Sequence, residues 1–182
     1  MLVDTVTTDD AILALLQDAF MHVRSGDTDA LRALLDLGVP PTLRNEKGDS
    51  LVMLASYHGF LDTTRLLLER GADPEVGNDQ GQTPLQGTAF KGNRDMLELL
   101  LAHGADVEGR GGNGRTALMI AAMFDRTDLM DLLLAHGADP HARDAGGATA
   151  LDAARSMGAA GTARQLAALA PATSPDSAAG TP

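Results

Sequence analysis

The sequence predicts an all-α protein, a stack of short helix–turn–helix units joined by β-turn fingers, and three observations carry that prediction. Glycines recur on a fixed step: Gly48, Gly81, Gly114 and Gly147 stand 33 residues apart, as do Gly38, Gly71, Gly104 and Gly137. Hydroxyl residues suited to capping a helix start keep the same step, at Ser50, Thr83, Thr116 and Thr149. Short leucine- and alanine-rich segments lie between these markers, and helices of that length cannot bury their own apolar faces. A period near 33 with a turn and two helices per unit marks a stacked array, in which each unit needs a copy of itself on either side.

The stretch Gly81–Val107 shows the pattern most clearly. Thr83 can cap a helix, and Pro84 suits the first helical position, where no amide donor is needed. Gly92 supplies a left-handed residue that ends this helix. Met96, Leu97, Leu99, Leu100 and Leu101 then give the next helix a broad apolar face, and Gly104 ends it.

Residues 1–8 are expected to be a flexible lead-in. Thr8 or Asp9 opens a first helix to about Arg24, with Ile12, Leu15, Leu16, Ala19, Phe20 and Val23 on its inner side. A second helix follows from about Thr28 to Leu37, ended by Gly38 and barred from continuing by Pro40 and Pro41. These make an N-terminal capping unit over 9–44. Four repeats are expected after it, at 45–77, 78–110, 111–143 and 144–170. Their helices are placed near Leu51–Tyr57 and Leu61–Arg70, Pro84–Lys91 and Arg94–His103, Ala117–Met123 and Thr127–His136, and Ala150–Ser156 and Ala160–Ala168. Asp125 stands where Gly26, Gly59, Gly92 and Gly158 break the other units; aspartate tolerates the left-handed region, so a break is predicted there too. Asp29, Asp62, Asp95 and Asp128 open the second helices, complementing the helix dipole by about 0.3–1 kcal/mol each. Residues 171–182, small and turn-forming, are expected to be a disordered tail.

The motif TPLQ at Thr83–Gln86 and the phrases RGADP at Arg70–Pro74, HGADV at His103–Val107 and HGADP at His136–Pro140 resemble ankyrin repeats. The resemblance covers roughly residues 12–170 and stays in register throughout. It implies an ankyrin solenoid that binds a partner protein along a concave groove and catalyses nothing itself. The histidine usual after T-P-L in that family is replaced at every position, by Phe20, Met53, Gln86, Met119 and Asp152. Its loop hydrogen bonds must be made otherwise or lost. At the C-terminal end, Ala170 stands where a glycine would close the helix. The stretch GDSLVMLASYHG at Gly48–Gly59 is similar to the corresponding repeat of small bacterial ankyrin proteins, some linked to catalase function. That likeness implies support of a peroxide-detoxifying enzyme as a partner role. Twelve arginines against two lysines, with abundant alanine, fit a GC-rich bacterial genome.

Composition narrows the function classes. The net charge of −11 argues against nucleic acid or an anionic membrane as partner, since binding phosphate relies on Lys and Arg. There is no cysteine for a disulfide or thiolate site, and no run of 18 apolar residues. The start MLVDTVTTDD carries acids where a signal peptide carries bases, so a cytoplasmic monomer is expected. Of the five histidines, His103 and His136 share a place at the ends of second helices, about one repeat apart, too far for two ligands on one metal. The run GRGGNG at Gly109–Gly114 sits between helical units and follows no strand, so it reads as a longer finger, not a phosphate loop. No metal, cofactor or catalytic residue is assigned. The competing reading is a metal- or small-ligand-binding protein, or an enzyme, that uses the surface histidines.

The resemblance places the partner surface on the fingers and on the ends of the first helices. Carried over by register, its residues are Glu46, Lys47 and Asp49, Gln80 and Gln82, and Arg115 on the fingers. On the helix ends they are Tyr57 and His58, Phe90 and Lys91, Met123 and Phe124, and Met157. Three of the five aromatic residues fall on these helix ends, a composition common in binding hot spots. The acidic first unit reads as a solvated cap, with a docking patch for a basic partner as its alternative.

Overall fold

The computed structural model describes residues 8–169. The expected lead-in and tail, and the helix end at Ala170, otherwise lie outside the described residues. The described chain forms α1 (Thr8–Ser25), α2 (Thr28–Asp36), α3 (Leu51–His58), α4 (Leu61–Glu69), α5 (Pro84–Lys91), α6 (Arg94–Ala102), α7 (Ala117–Met123), α8 (Thr127–Ala135), α9 (Ala150–Met157) and α10 (Ala160–Leu169). The expected helices match these to within a residue or so at each end. Odd-numbered helices pack in one row and even-numbered ones in a second, each helix touching its equivalent in the next unit. The array is all-α and solenoidal.

Each start signal works as its chemistry suggests. The side chains of Ser50, Thr83, Thr116 and Thr149 accept the backbone N–H groups of Met53, Gln86, Met119 and Asp152, at 3.1, 3.3, 3.3 and 3.2 Å. Asp27 and Asn93 cap α2 and α6 likewise, whereas α4 and α8 have no side-chain cap. At the breaks, Asp125 does adopt the left-handed conformation (φ 55°), alone among the described non-glycine residues. Its carboxylate accepts the backbone N–H of Thr162 at 2.8 Å, so the residue that bends one unit also ties down the next. His103 and His136 donate through Nδ1 to the carbonyls of Leu99 and Leu132, both at 2.9 Å.

One continuous core runs through the stack. Leu34, Leu67, Leu100, Leu133 and Leu166, one per unit at the 33-residue step, form a buried column through the second helices. The inner face assigned to α1 needs one correction: Ile12 is 49 % exposed. Leu15, Leu16 and Phe20 are half-buried, and only Ala19 and Val23 are fully enclosed. Among the described residues α1 packs chiefly on α2 and α3, so its early turns have less to pack against.

The fingers are linked edge to edge. Asp79 N donates to Lys47 O, Gly112 N to Gly81 O and Ala145 N to Asn113 O, at 3.1, 3.0 and 3.0 Å. The guanidinium groups of Arg44 and Arg110 reinforce this, reaching the carbonyls of Gly77 and Arg143 in the next finger. Where a histidine is missing, Gln86 makes a substitute: its amide oxygen accepts Thr83 N, closing a capping box, and its amide nitrogen donates to Arg115 O. This requires Gly111 alongside, where a Cβ would lie 2.7 Å from the Gln86 oxygen. Replacing Gln86 by alanine would deprive Thr83 N of its acceptor and Arg115 O of a donor. An expected loss of about 1–3 kcal/mol follows, measurable in denaturant melts.

Candidate functional site

The site is built from two parts of each unit, the finger and the C-terminal end of the first helix. Asx turns shape the fingers. Asn45 Oδ1 accepts the N–H groups of Lys47 and Asp49, Asn78 Oδ1 those of Gln80 and Gln82, and Asp144 Oδ1 those of Gly146 and Ala148. Gly111 occupies the same place in the third finger, and there Asn113 Oδ1 accepts Arg115 N instead. Asp49 joins the first two fingers: its carboxylate accepts the amide nitrogens of Asn45 and Asn78, both at 3.0 Å. Its charge therefore serves the scaffold first.

Hydrogen bonds to the ionised form hold the Asp144 carboxyl below its ordinary 3.8, the N–H of Ala148 foremost, then those of Gly146 and the Arg115 side chain. A depressed carboxylate stabilises the folded finger above the unfolded pKa and loses that contribution as pH falls through the folded one. The protection factors of the Gly146 and Ala148 amides are accordingly expected to be complete at pH 6 and to fall locally as the pH drops through the folded pKa, which lies below 3.8. Glu75 has the opposite sign. Burial first, then the nearby Asp106 and Asp73, holds its carboxyl above the usual value, against the N–H of Asp106 that it accepts.

Along the helix ends, Tyr57, Phe90, Phe124 and Met157 are 40, 44, 36 and 53 % exposed, while Met123 is half-buried. Phe90 and Phe124 meet edge to face with ring centroids 4.9 Å apart. The Lys91 ammonium lies 4.6 Å from the Tyr57 ring centroid, and His58 bridges Tyr57 to Phe60 through ring contacts. Each ring thus packs partly on a neighbour and still presents a face to solvent.

Two hollows open between fingers and helices. The central one, of about 590 Å³, brings together Asp49, Tyr57, His58, Gln80, Gln82 and Phe90 from the candidate set. A second, of about 630 Å³, lies nearer α1 and gathers Glu46, Lys47 and Asp49 beside Leu13, Leu16 and Phe20. Lys91, Arg115, Met123, Phe124 and Met157 line neither. Arg115 points its Nε toward Asp144, 3.5 Å away. Sequence reading passed over Leu54, Gly87 and Ile120, which line the central hollow at one register position. The 33-residue step was the signal that could have found them.

Among the described residues, no group of three His, Asp or Glu is placed to hold a metal ion. None of the described helices is long and apolar enough to cross a membrane.

A family model of ankyrin repeats in three copies matches residues 19–111, about half of the chain, and a many-copy model of the same repeats matches 100–154. The chain belongs to the ankyrin-repeat family. It is also similar to an ankyrin repeat protein of Pseudomonas aeruginosa, 60 % identical over 40 residues, which is 22 % of this chain and 23 % of that protein. The matched stretch thus spans about a quarter of the relative's length. Ankyrin repeats are protein–protein interaction modules, generally without catalysis of their own, and so imply a protein partner.

Proposed function

We propose that this ankyrin array docks a partner protein in the groove between its fingers and the ends of its first helices, without catalysing a reaction. The observation that supports this reading is the line of exposed Tyr57, Phe90, Phe124 and Met157. Large apolar groups left open to water contribute little to folding, and a partner that covers them is the simplest physical reason for their place. Polar fingers flank one end of the line, with Glu46 and Lys47 exposed, and small ones the other, with Ala145 and Gly146. The partner is therefore held by polar contacts near the first fingers and by apolar contact toward α7 and α9. An enzyme of the catalase kind is one candidate partner, on the likeness of Gly48–Gly59 to catalase-linked ankyrin proteins.

Affinity capture from the native cells, identification by mass spectrometry and calorimetric titration of the purified partner test this reading. A partner whose affinity is unchanged by substitutions along the line, but abolished by charge reversal on α1 and α2, would move the site to the acidic first unit. The second reading, a small-ligand protein, draws on the central hollow, whose 590 Å³ falls in the usual range of ligand pockets. If zinc or nickel bound the surface histidines, it would raise the melting temperature by mass action. No shift is expected.

A further inference from the structure

The first helices break their register at one position. Leu54 in α3 and Ile120 in α7 are both half-buried beside the central hollow, and the unit between them has Gly87 in the interior of α5. The backbone does not require glycine there, since Gly87 is not among the residues of positive φ. Space does not require it either: a Cβ on Gly87 would meet the Tyr57 ring at 3.5 Å, an ordinary contact. Glycine in a helix interior is less favourable than alanine, because it loses more backbone freedom on folding. Its effect here is to leave a space that a register-matched Leu or Ile would fill.

The rest of the hollow suits that space. Tyr57 and Phe90 line it beside Leu54, Pro84 and Ile120, and across from them Gly111 and Gly112 carry no side chains over the rim. Its polar groups are mostly neutral amides, those of Asn78, Gln80, Gln82, Gln86 and Asn113. The one carboxylate, Asp49, already has both oxygens engaged. His58 also lines the hollow, its ring against those of Tyr57 and Phe60. Most of the wall is apolar or amide, so a charged group entering would exchange its hydration for mostly neutral neighbours, whereas an apolar group gains contact and edge-to-face packing. From this match, and resting on the groove reading above, we propose that the hollow is the receptor for one large uncharged side chain, aromatic or leucine-like. It is presented by an extended segment of the partner protein, whose flanking backbone the amide rim bonds.

The test pans a phage-displayed library of random 12-residue peptides on the wild-type chain. The dominant peptide is then titrated by calorimetry into wild type, Gly87→Leu, Gly87→Ala and Met157→Ala. Selected peptides are expected to share one Leu, Phe, Tyr or Trp without an adjacent charge. Gly87→Leu should weaken binding at least tenfold with a melting temperature no lower than wild type, and Gly87→Ala should weaken it two- to threefold. Changing the peptide's anchor to alanine should abolish measurable binding, which keeps the test decisive even if Gly87→Leu fails to fold. Met157 lies outside the hollow but on the same line, so it separates the two readings. Loss with Met157→Ala alone leaves the groove standing and overturns the receptor; no loss with either variant overturns both. Peptides anchored by charged residues, or no binders at all, also overturn the receptor.

Discussion

Truncating Leu100 to alanine is expected to lower the free energy of unfolding by about 2–5 kcal/mol, the largest loss from any single apolar truncation on the second helices. Leu100 is fully buried in α6, which packs on α5 within its unit and on α4 and α8 in the units either side. It stands in the middle of the column formed by Leu34, Leu67, Leu133 and Leu166, so a cavity there cannot be closed by a shift toward solvent. Stability in a repeat array is approximately a sum over units and nearest-neighbour contacts, and a central gap weakens both neighbouring contacts. Leu37→Ala is the control. Leu37 is a leucine 74 % exposed just past α2, and its truncation should change stability by no more than about 0.5 kcal/mol. Urea melts of the two variants check this, and equal losses would contradict the stacked core as the source of stability.

Phe90→Ala is expected to weaken partner binding by about 2 kcal/mol or more while leaving the fold intact. The ring is 44 % exposed, half supported by Phe124 at 4.9 Å, and forms part of the wall of the central hollow. It is held in place before a partner arrives, and such preorganised aromatic groups lose little entropy on binding. A rim charge behaves differently: Glu46→Ala, on an exposed finger residue, should alter the on-rate and its salt dependence more than the affinity. Calorimetric titration of the captured partner against Phe90→Ala, with a melting curve of the variant, reads both parts. An unchanged affinity, or a collapsed melting transition, would sink the assignment of Phe90 as a binding anchor.

The candidate surface was legible only in outline. Register arithmetic placed Tyr57, Phe90 and Phe124 on a common line because repeats of equal length put equivalent residues in equivalent places. It could not show that Lys91 would cover the Tyr57 ring, or that Phe90 and Phe124 would pair, since these depend on side-chain directions across units. Asp49 shows the same gap. As a finger-tip acid it reads as a charge offered to a partner, yet Asn45 and Asn78 converge on it from two different fingers. Ile12 errs the other way: helical periodicity put it inside, and among the described residues that part of α1 has too little packed against it to keep it from water.

The fold itself was determined by the chain's local chemistry. Glycines and Asp125 at left-handed breaks and hydroxyl caps at four helix starts each act within a few residues of themselves, so their meaning survives without coordinates, and the leucine every 33 residues reports the stacking through its period alone. What replaced the missing histidine was decided only in three dimensions. Gln86 reaches Arg115 because Gly111, 25 residues on, leaves room for its amide, and no local rule connects those positions. The open space above Gly87 is of the same kind. In the sequence it is a weak helix residue, and it becomes a hollow only when Tyr57, Phe90 and Ile120 from three successive units are stacked around it. Contacts between units depend on shapes that separate stretches of chain bring together, and periodicity reports the spacing of those stretches but not how their side chains meet.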